Sequence, residues 1–311
     1  MGKGANGEVR RDELKGVFFL LTASMIWSFA VVMMKTGTEN LGPWAFSGIR
    51  SVLGCISMIP LVLFFDSRKS AEVKAAEHHP GLLIKGTFFA GLVVTSYMIP
   101  AQTGLAFTTV GKSGFITALY IIIVPFLGIF LKHKVPAKIW LCVIASIVGF
   151  YLMCMTEGIS EINKGDLLIL VGSLFCAVHI YIVDGLVKKI DPLKFSCMQF
   201  FFAGLFCMIG AFIFEKPSFT QITEAIVPLL YTGICSCGLG YMFQTLGQKY
   251  VEPAKASLLL SSETIFTMMW GMIVFHEVMK GVEYLGCLLI FLAILFSQID
   301  VKKKGSDVSE S

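Results

Sequence analysis

KGVFFLLTASMIWSFAVVMMKTG, residues 15–37, and KGDLLILVGSLFCAVHIYIVDGL, residues 164–186, are two apolar stretches related by a shift of 149 positions. Each is long enough to cross a bilayer core of about 30 Å as a helix, which takes roughly 20 apolar residues. The same shift superposes Ser24 on Ser173 and Pro43 on Pro192, so positions that start helices recur along with the apolar runs. The chain therefore looks like a duplicated set of membrane helices.

Apolar stretches of this kind follow one another along almost the whole chain. The mean hydropathy of +0.78 and the hydrophobic fraction of 56% lie outside the range of soluble domains. We predict ten membrane spans, near residues 15–37, 43–65, 82–104, 110–131, 137–155, 165–187, 192–214, 222–248, 254–275 and 281–299. Each must be a helix, because hydrocarbon offers no partner for an unpaired backbone N–H or C=O. The predicted fold is an all-α integral membrane protein.

The duplication divides the chain into two halves of opposite orientation. We predict one five-helix repeat at residues 15–155, a second at 165–299, and tails at 1–14 and 300–311. Five spans are an odd number, so the second repeat must enter the membrane upside down relative to the first. Most of the 25 lysines and arginines lie at helix ends on the side of the N-terminus, which predicts that both termini are cytoplasmic. Because these charges are spread among helix ends, nucleic acid is not an expected partner.

Later in each half the shift becomes 144, and it then superposes two trios of polar residues. The trios are Ser113, Thr117 and Tyr120 in the first half and Ser257, Ser261 and Thr264 in the second. Each trio is spaced i, i+4, i+7 and forms one polar stripe on a helix face. Inverted repeats with polar stripes that meet inside the membrane are typical of alternating-access transporters.

Three stretches resemble a known family. They are GFITALYIIIVP at 114–125, GDLL at 165–168, and the run 260–277, which contains the two acids Glu263 and Glu277. These patterns resemble the EamA-type members of the drug/metabolite transporter superfamily, and the similarity extends over residues 15–299. The resemblance implies ten helices in two repeats, a bacterial plasma membrane, and export of amino acids or other small metabolites. Thr264 stands where the family has a proline, so the resemblance does not imply a kink at that point. His133 stands where the family has a glutamate.

Ionisable side chains within the predicted spans are the first candidates for function, because each costs about 2.5–3.5 kcal/mol to insert. Glu263, about midway along the ninth span, could bind a substrate ammonium group or carry protons; it could also be a structural acid. Arg50, in the second span, could hold a substrate carboxylate through two hydrogen bonds, or it could tie helix ends together. His179, in the sixth span, could relay protons or simply pack.

Aromatic and amide side chains on helix faces indicate a cavity for a mid-sized organic substrate. The candidates are Trp27, Tyr97, Gln102, Tyr120, Tyr241 and Gln244. For any one of them, a contact between helices is an equally good explanation.

Three functions are compatible with a membrane-embedded chain, and the sequence favours a secondary transporter of small metabolites. An intramembrane enzyme would need clustered catalytic groups, and a channel would need a filter loop or rings of one polar type; neither pattern is present. No phosphate-binding G-x-x-x-x-G-K-[ST] loop occurs, so ATP is not the expected fuel, and protons are the simplest alternative. No metal or cofactor is expected, and the nine cysteines, all in apolar stretches, are predicted to be packing residues.

Overall fold

The computed structural model describes residues 2–108, 110–133, 135–154, 163–275 and 280–298. Glu277 and the predicted tail at 300–311 lie outside these residues. Every element of the described chain is helical, and there are fifteen α-helices and one π-helical segment. In chain order they are α1 Gly2–Gly37, α2 Pro43–Ser67, α3 Ala71–Ala76, α4 Pro80–Leu105, α5 Val110–Ala118, α6 Tyr120–Phe130, α7 Ala137–Cys154, α8 Lys164–Val187, α9 Pro192–Phe214, α10 Phe219–Glu224, α11 Ile226–Leu230, the π segment Tyr231–Gly240, α12 Tyr241–Gln248, α13 Pro253–Leu260, α14 Glu263–Phe275 and α15 Gly281–Gln298.

The protein is an all-helical integral membrane protein. Seven helical stretches are long and apolar enough to cross a bilayer: Arg11–Gly37, Pro43–Ser67, Pro80–Leu105, Lys164–Val187, Pro192–Phe214, Ile226–Gln248 and Gly281–Gln298. Two shorter apolar helices cover Ile116–Phe130 and Ala137–Leu152. The outer surface is apolar as well, and Phe130 (81% exposed) and Phe212 (65% exposed) are two of its large side chains. Such a surface is suited to lipid rather than to water.

Several helices begin where the sequence predicts. Pro43 and Pro192 each occupy the first position of a helix, where a missing N–H costs nothing. The Asp191 side chain accepts hydrogen bonds from the backbone N–H groups of Leu193 (2.8 Å) and Lys194 (3.3 Å), which caps α9. The predicted tail at 1–14 differs, because α1 is helical from Gly2 onward.

Three predicted spans are interrupted rather than continuous. The span at 254–275 breaks between α13 and α14, just before Glu263, although no proline is present there. The Ser261 and Ser262 hydroxyls donate to the carbonyls of Leu258 and Leu259 (both 2.7 Å), and such local bonds compete with the helical ladder. The span at 110–131 breaks between α5 and α6, and that at 222–248 contains the π segment.

The two breaks at α5/α6 and α13/α14 are tied down by serines related by the shift of 149. Ser24 Oγ on α1 shares its hydrogen among three carbonyl oxygens: that of Leu20 on its own helix (3.0 Å) and those of Leu260 (3.1 Å) and Leu259 (3.3 Å) on α13. Ser173 Oγ on α8 donates to the Thr117 carbonyl (3.0 Å). Each serine therefore bonds to the backbone beside a break at membrane depth, where unsatisfied groups are costly.

Helices from the two halves of the chain pack against each other in pairs: α2 against α9, α4 against α8, and α7 against α15. In the α4–α8 pair, Gly104 faces Gly165, and a Cβ on either glycine would lie 2.6–2.7 Å from the carbonyl oxygen of the other. Such a separation is too short for any side chain larger than hydrogen. The close approach of these backbones therefore requires both glycines.

Candidate functional site

A cavity of about 110 Å³, measured as the space open to the centres of water molecules, lies between helices of both halves. Its walls come from α1, α2, α4, α5, α6, α8, the π segment, α12, α13 and α14. The lining residues of α1, α2 and α4 all belong to the parts of those helices nearer the end of the bundle where α1 ends, as Met34, Arg50 and Leu105 illustrate. On α8 and α12, His179 and Gln244 lie past the middle of their helices toward the other end, so the cavity extends from the middle of the bundle toward the end where α1 ends.

Eight of the nine sequence-predicted site residues line this cavity. They are Trp27, Arg50, Tyr97, Tyr120, His179, Tyr241, Gln244 and Glu263. These residues come from seven different helices, and the fold brings them together although they are up to 236 positions apart.

Gln102 is the exception, and the structure places it outside the cavity. Its side chain is fully buried, and its Nε2 donates a hydrogen bond to the Met34 carbonyl on α1 (3.1 Å). The helix face that Gln102 shares with Thr95 packs against neighbouring helices, and a substrate contact at Gln102 stays a prediction. Gln102 joins α4 to α1 through this hydrogen bond.

Aromatic rings form one wall of the cavity around Tyr241. The ring centroids of Trp27 and Phe200 each lie 4.7 Å from that of Tyr241, and the His179 ring lies 5.9 Å away. The Trp27 indole N–H donates to the Ser236 carbonyl in the π segment (3.3 Å), which fixes the plane of the indole ring. The wall thus offers a preorganised stacking surface.

Glu263 is the first residue of α14 and is half-buried at the cavity wall. Among the described residues, none donates a hydrogen bond to its carboxylate, and no lysine or arginine forms an ion pair with it. The break before α14 leaves a helix N-terminus at this point, and the partial positive charge of that terminus favours a carboxylate. Glu263 thus has room to bind a cationic group.

Arg50 is 3% exposed and carries the opposite charge into the same cavity. Its Cζ lies 5.6 Å from the Phe46 ring centroid, a cation–π contact on one side. The Arg50 Nε has no hydrogen-bond partner, and no acid of the described chain pairs with the guanidinium. Buried charges are normally paired, so an unpaired guanidinium is an exception that calls for a ligand or a cost in stability.

His179 is buried at the cavity wall and is hydrogen-bonded to Gln199, with 2.9 Å between His179 Nε2 and Gln199 Oε1. Gln199 is the position that the shift of 149 superposes on Arg50. The amide Nε2 of Gln199 is buried without a partner, as is the Oε1 of Gln244. Among the described residues, these two buried amide atoms therefore keep free hydrogen-bonding capacity, and Gln244 is the one of the two that lines the cavity.

The polar stripes predicted from the sequence reach the cavity except at one position. Ser113, Thr117 and Tyr120 line it from the first half, and Ser261 and Thr264 from the second. Ser257 does not line it, and its hydroxyl donates to the Ala254 carbonyl (2.9 Å).

Sequence reasoning did not identify Cys176, which also lines the cavity and lies on the same helix as His179 at spacing i, i+3. This spacing is the feature of the sequence that indicates that Cys176 and His179 lie on one helix face. The eight cysteines whose side chains the structure describes are free thiols. Within the described ranges, no three His, Cys, Asp or Glu side chains lie close enough together to hold a metal ion.

Comparisons with known proteins agree on one family. A family model described as the EamA-like transporter family matches residues 14–155 and matches again at residues 163–298. An uncharacterized transporter of Archaeoglobus fulgidus is 25% identical over 91% of this chain and 85% of its own length. The uncharacterized transporter YoaV of Bacillus subtilis is 24% identical over 94% of this chain and 99% of its own. A crystal structure of a protein that is 13% identical superposes with a TM-score of 0.73 over 91% of this chain and 96% of its own, which shows a shared fold alone.

Proposed function

Because the chain belongs to the EamA-like transporter family, we propose that it is a secondary transporter of small zwitterionic metabolites, with amino acids as the leading class. The observation that carries this proposal is that a carboxylate, Glu263, and a guanidinium, Arg50, line one aromatic-walled cavity, and that neither has an ionic partner among the described residues. A zwitterion supplies the missing partner of each at the same time.

The chemistry of the cavity walls supports this substrate class. A substrate carboxylate would bind the Arg50 fork through two parallel N–H···O bonds, and a substrate ammonium would bind Glu263. The rings of Trp27 and Tyr241 would stack on an apolar or aromatic side chain. Binding would replace the two uncompensated charges by two ion pairs, so the gain in free energy is larger than that of an exposed pair.

The architecture that we propose consists of ten transmembrane helices in two inverted five-helix repeats, at residues 15–155 and 165–299. The two matches to the family model support the duplication. The equivalent tethers of Ser24 and Ser173 beside the two helix breaks support a two-fold relation between the halves. With an odd number of spans in each half, that axis lies in the plane of the membrane.

In the proposed cycle, the two halves rock about the cavity and open it alternately to each side of a plasma membrane, with both termini cytoplasmic. Export is the direction that we propose, and protons are the coupling ion. Glu263 is the proposed proton carrier, because a single carboxylate that binds either a proton or an ammonium group makes the two ligands exclude each other. His179, bonded to Gln199, is the second candidate for proton coupling.

A thermal-shift screen of the purified protein against amino acids, nucleosides and cationic drugs tests the substrate class. We expect stabilisation by amino acids, and stabilisation by nucleosides or cationic drugs alone would overturn the zwitterion proposal. Uptake of the stabilising amino acid into proteoliposomes then tests the coupling. We expect Glu263→Gln to abolish proton-driven uptake, and Glu252→Gln, at an exposed glutamate outside the cavity, to leave it intact. Unchanged uptake with an unchanged pH dependence in Glu263→Gln would remove Glu263 from coupling.

A further inference from the structure

The ion pairs of the described residues concentrate at the end of the bundle where α1 begins. Lys69, just after α2, forms ion pairs with Asp191 at the start of α9 and with Glu77 (2.6 Å) after α3. The side chains of Lys69 and Asp191 are only 20% and 6% exposed. Water and salt therefore screen this pair less than they screen a surface pair.

Two further pairs join the two halves at this end. Lys194 on α9 lies 2.7 Å from Asp66 on α2, and Lys249 after α12 lies 3.4 Å from Glu77. Together with Lys69–Asp191, they connect the residues matched by the first copy of the family model to those matched by the second. We call these three pairs, Lys69–Asp191, Lys194–Asp66 and Lys249–Glu77, the inner latch.

The opposite end of the α2–α9 pair is held by a different interaction. Glu215, which follows α9, is superposed on Asp66 by the shift of 149. Its carboxylate accepts hydrogen bonds from the backbone N–H groups of Trp44 (2.9 Å) and Ala45 (2.7 Å) in the first turn of α2. Ala45 is the position superposed on Lys194, the partner of Asp66. Equivalent acids thus reach equivalent positions, but only the inner one meets a full positive charge.

The cavity is also placed asymmetrically along the α2–α9 pair. Its lining on α1, α2 and α4 lies toward the end capped by Glu215, away from the inner latch. We propose that the inner latch is the gate that holds the cavity closed on the side of the N-terminus, with Lys69 and Lys194 as its positioning residues. The latch must open before the cavity can be reached from that side. This inference rests on the alternating access proposed above.

Cys176 is a native reporter for the test, because it is the cysteine that lines the cavity among the described residues. A membrane-impermeant maleimide is applied to sealed vesicles of each orientation, and labelling of the Cys176 peptide is quantified by mass spectrometry. We expect wild-type protein to be labelled from the face opposite the N-terminus. Lys69→Gln should raise the labelling rate from the N-terminal face about fivefold, the population shift expected for the loss of a partly buried pair.

Lys188→Gln is the matched control, because Lys188 pairs with Asp184 one turn earlier in the chain (2.6 Å), and this pair does not connect the two halves. This variant should label like wild type. A second test exchanges the charges of one pair: Asp66→Lys alone should increase labelling from the N-terminal face, and Asp66→Lys combined with Lys194→Asp should restore the wild-type rate. The exchange keeps the test informative if Lys69→Gln fails to fold.

The gate proposal is overturned if Lys69→Gln and Asp66→Lys leave labelling unchanged, or if Lys188→Gln changes it as much. It is also overturned if wild-type Cys176 is not labelled from the face opposite the N-terminus. The measurement needs no substrate. A wrong substrate class would therefore leave its result intact, and the two proposals can fail separately.

Discussion

Arg50→Met separates the two interpretations of the buried arginine, because they predict changes in stability of opposite sign. If Arg50 is kept for the substrate, the empty protein bears the cost of a buried cation without an acid partner. Methionine fills a similar volume with an apolar chain, so its introduction removes that cost. If Arg50 instead tied helices together, its removal would leave partners unsatisfied and destabilise the protein.

The size of the effect follows from the surroundings of Arg50. Replacing a poorly compensated buried charge by an apolar side chain is worth about 1–4 kcal/mol. Losing the cation–π contact with Phe46 costs about 0.5–1 kcal/mol of this. We therefore expect Arg50→Met to stabilise the substrate-free protein by about 1–3 kcal/mol, a rise of about 2–6 °C in the melting temperature. Uptake by the same variant should be lost, because the substrate carboxylate has no other arginine in the described cavity wall.

Lys35→Met is the matched control, since Lys35 is a cation that does tie helices together. Its Nζ donates to the carbonyls of Leu105 (2.7 Å) and Thr108 (3.2 Å) at the end of α4. Losing these bonds should destabilise the protein by about 1–3 kcal/mol. The assay is a thermal melt of both purified variants in one detergent. If Arg50→Met lowers the melting temperature as Lys35→Met does, the interpretation of Arg50 as a substrate ligand is refuted.

Three further predictions concern packing, charge and helix register. Gly104→Ala places a Cβ 2.6 Å from a backbone carbonyl oxygen on α8, so it should destabilise the protein by about 1–3 kcal/mol in thermal melts. Gly185→Ala, where a Cβ meets nothing within 4 Å, should stabilise it by about 0.5–1 kcal/mol, and equal effects would contradict the packing of α4 on α8. Burial alone would lower the pKa of Lys69, but its two carboxylate partners raise that pKa above the ordinary value of 10.5. The stabilisation by the charge of Lys69 is therefore retained just below pH 10.5 and lost as the pH rises through the raised pKa, so the difference in melting temperature between wild type and Lys69→Gln should shrink as the pH rises above 10.5. The Sγ atoms of Cys55 and Cys197 lie 3.8 Å apart, so oxidation with copper phenanthroline should join α2 to α9 through a disulfide. The measurement is a count of free thiols, which should fall by two. No loss of thiols would contradict the register of these helices.

Much of the helical layout could be predicted from the sequence, since apolar length and proline position act locally. The starts at Pro43 and Pro192 follow from a residue type that is favoured in the first turn of a helix. The interruption before Glu263 could not be predicted, because neither proline nor glycine marks it. It depends on serine hydroxyls that bond back to their own helix and on Ser24, which reaches it from a helix 235 positions away.

The candidate site was predictable where polar residues stand out in an apolar span, and Glu263, Arg50 and Tyr241 are examples. The position of Gln102 outside the cavity could not be predicted, because an amide on a helix face that packs inward looks the same in the sequence whether it meets a cavity or a backbone carbonyl. The inner latch escaped detection for another reason. Lys69 and Asp191 lie in charged segments between spans, and Lys194 lies in the first turn of a span. At such positions charge indicates orientation and not partners.

Binding of a charge-matched series tests the central claim, that Glu263 and Arg50 together bind a zwitterion, most directly. The series consists of phenylalanine, phenethylamine and 3-phenylpropionate, measured by calorimetry on wild type, Glu263→Gln and Arg50→Met. We predict that wild type binds phenylalanine most tightly of the three. In Glu263→Gln the ammonium group should no longer add to the affinity, and in Arg50→Met the carboxylate should no longer add to it. Equal binding of all three compounds, or a preference for the zwitterion that survives both substitutions, would contradict the claim.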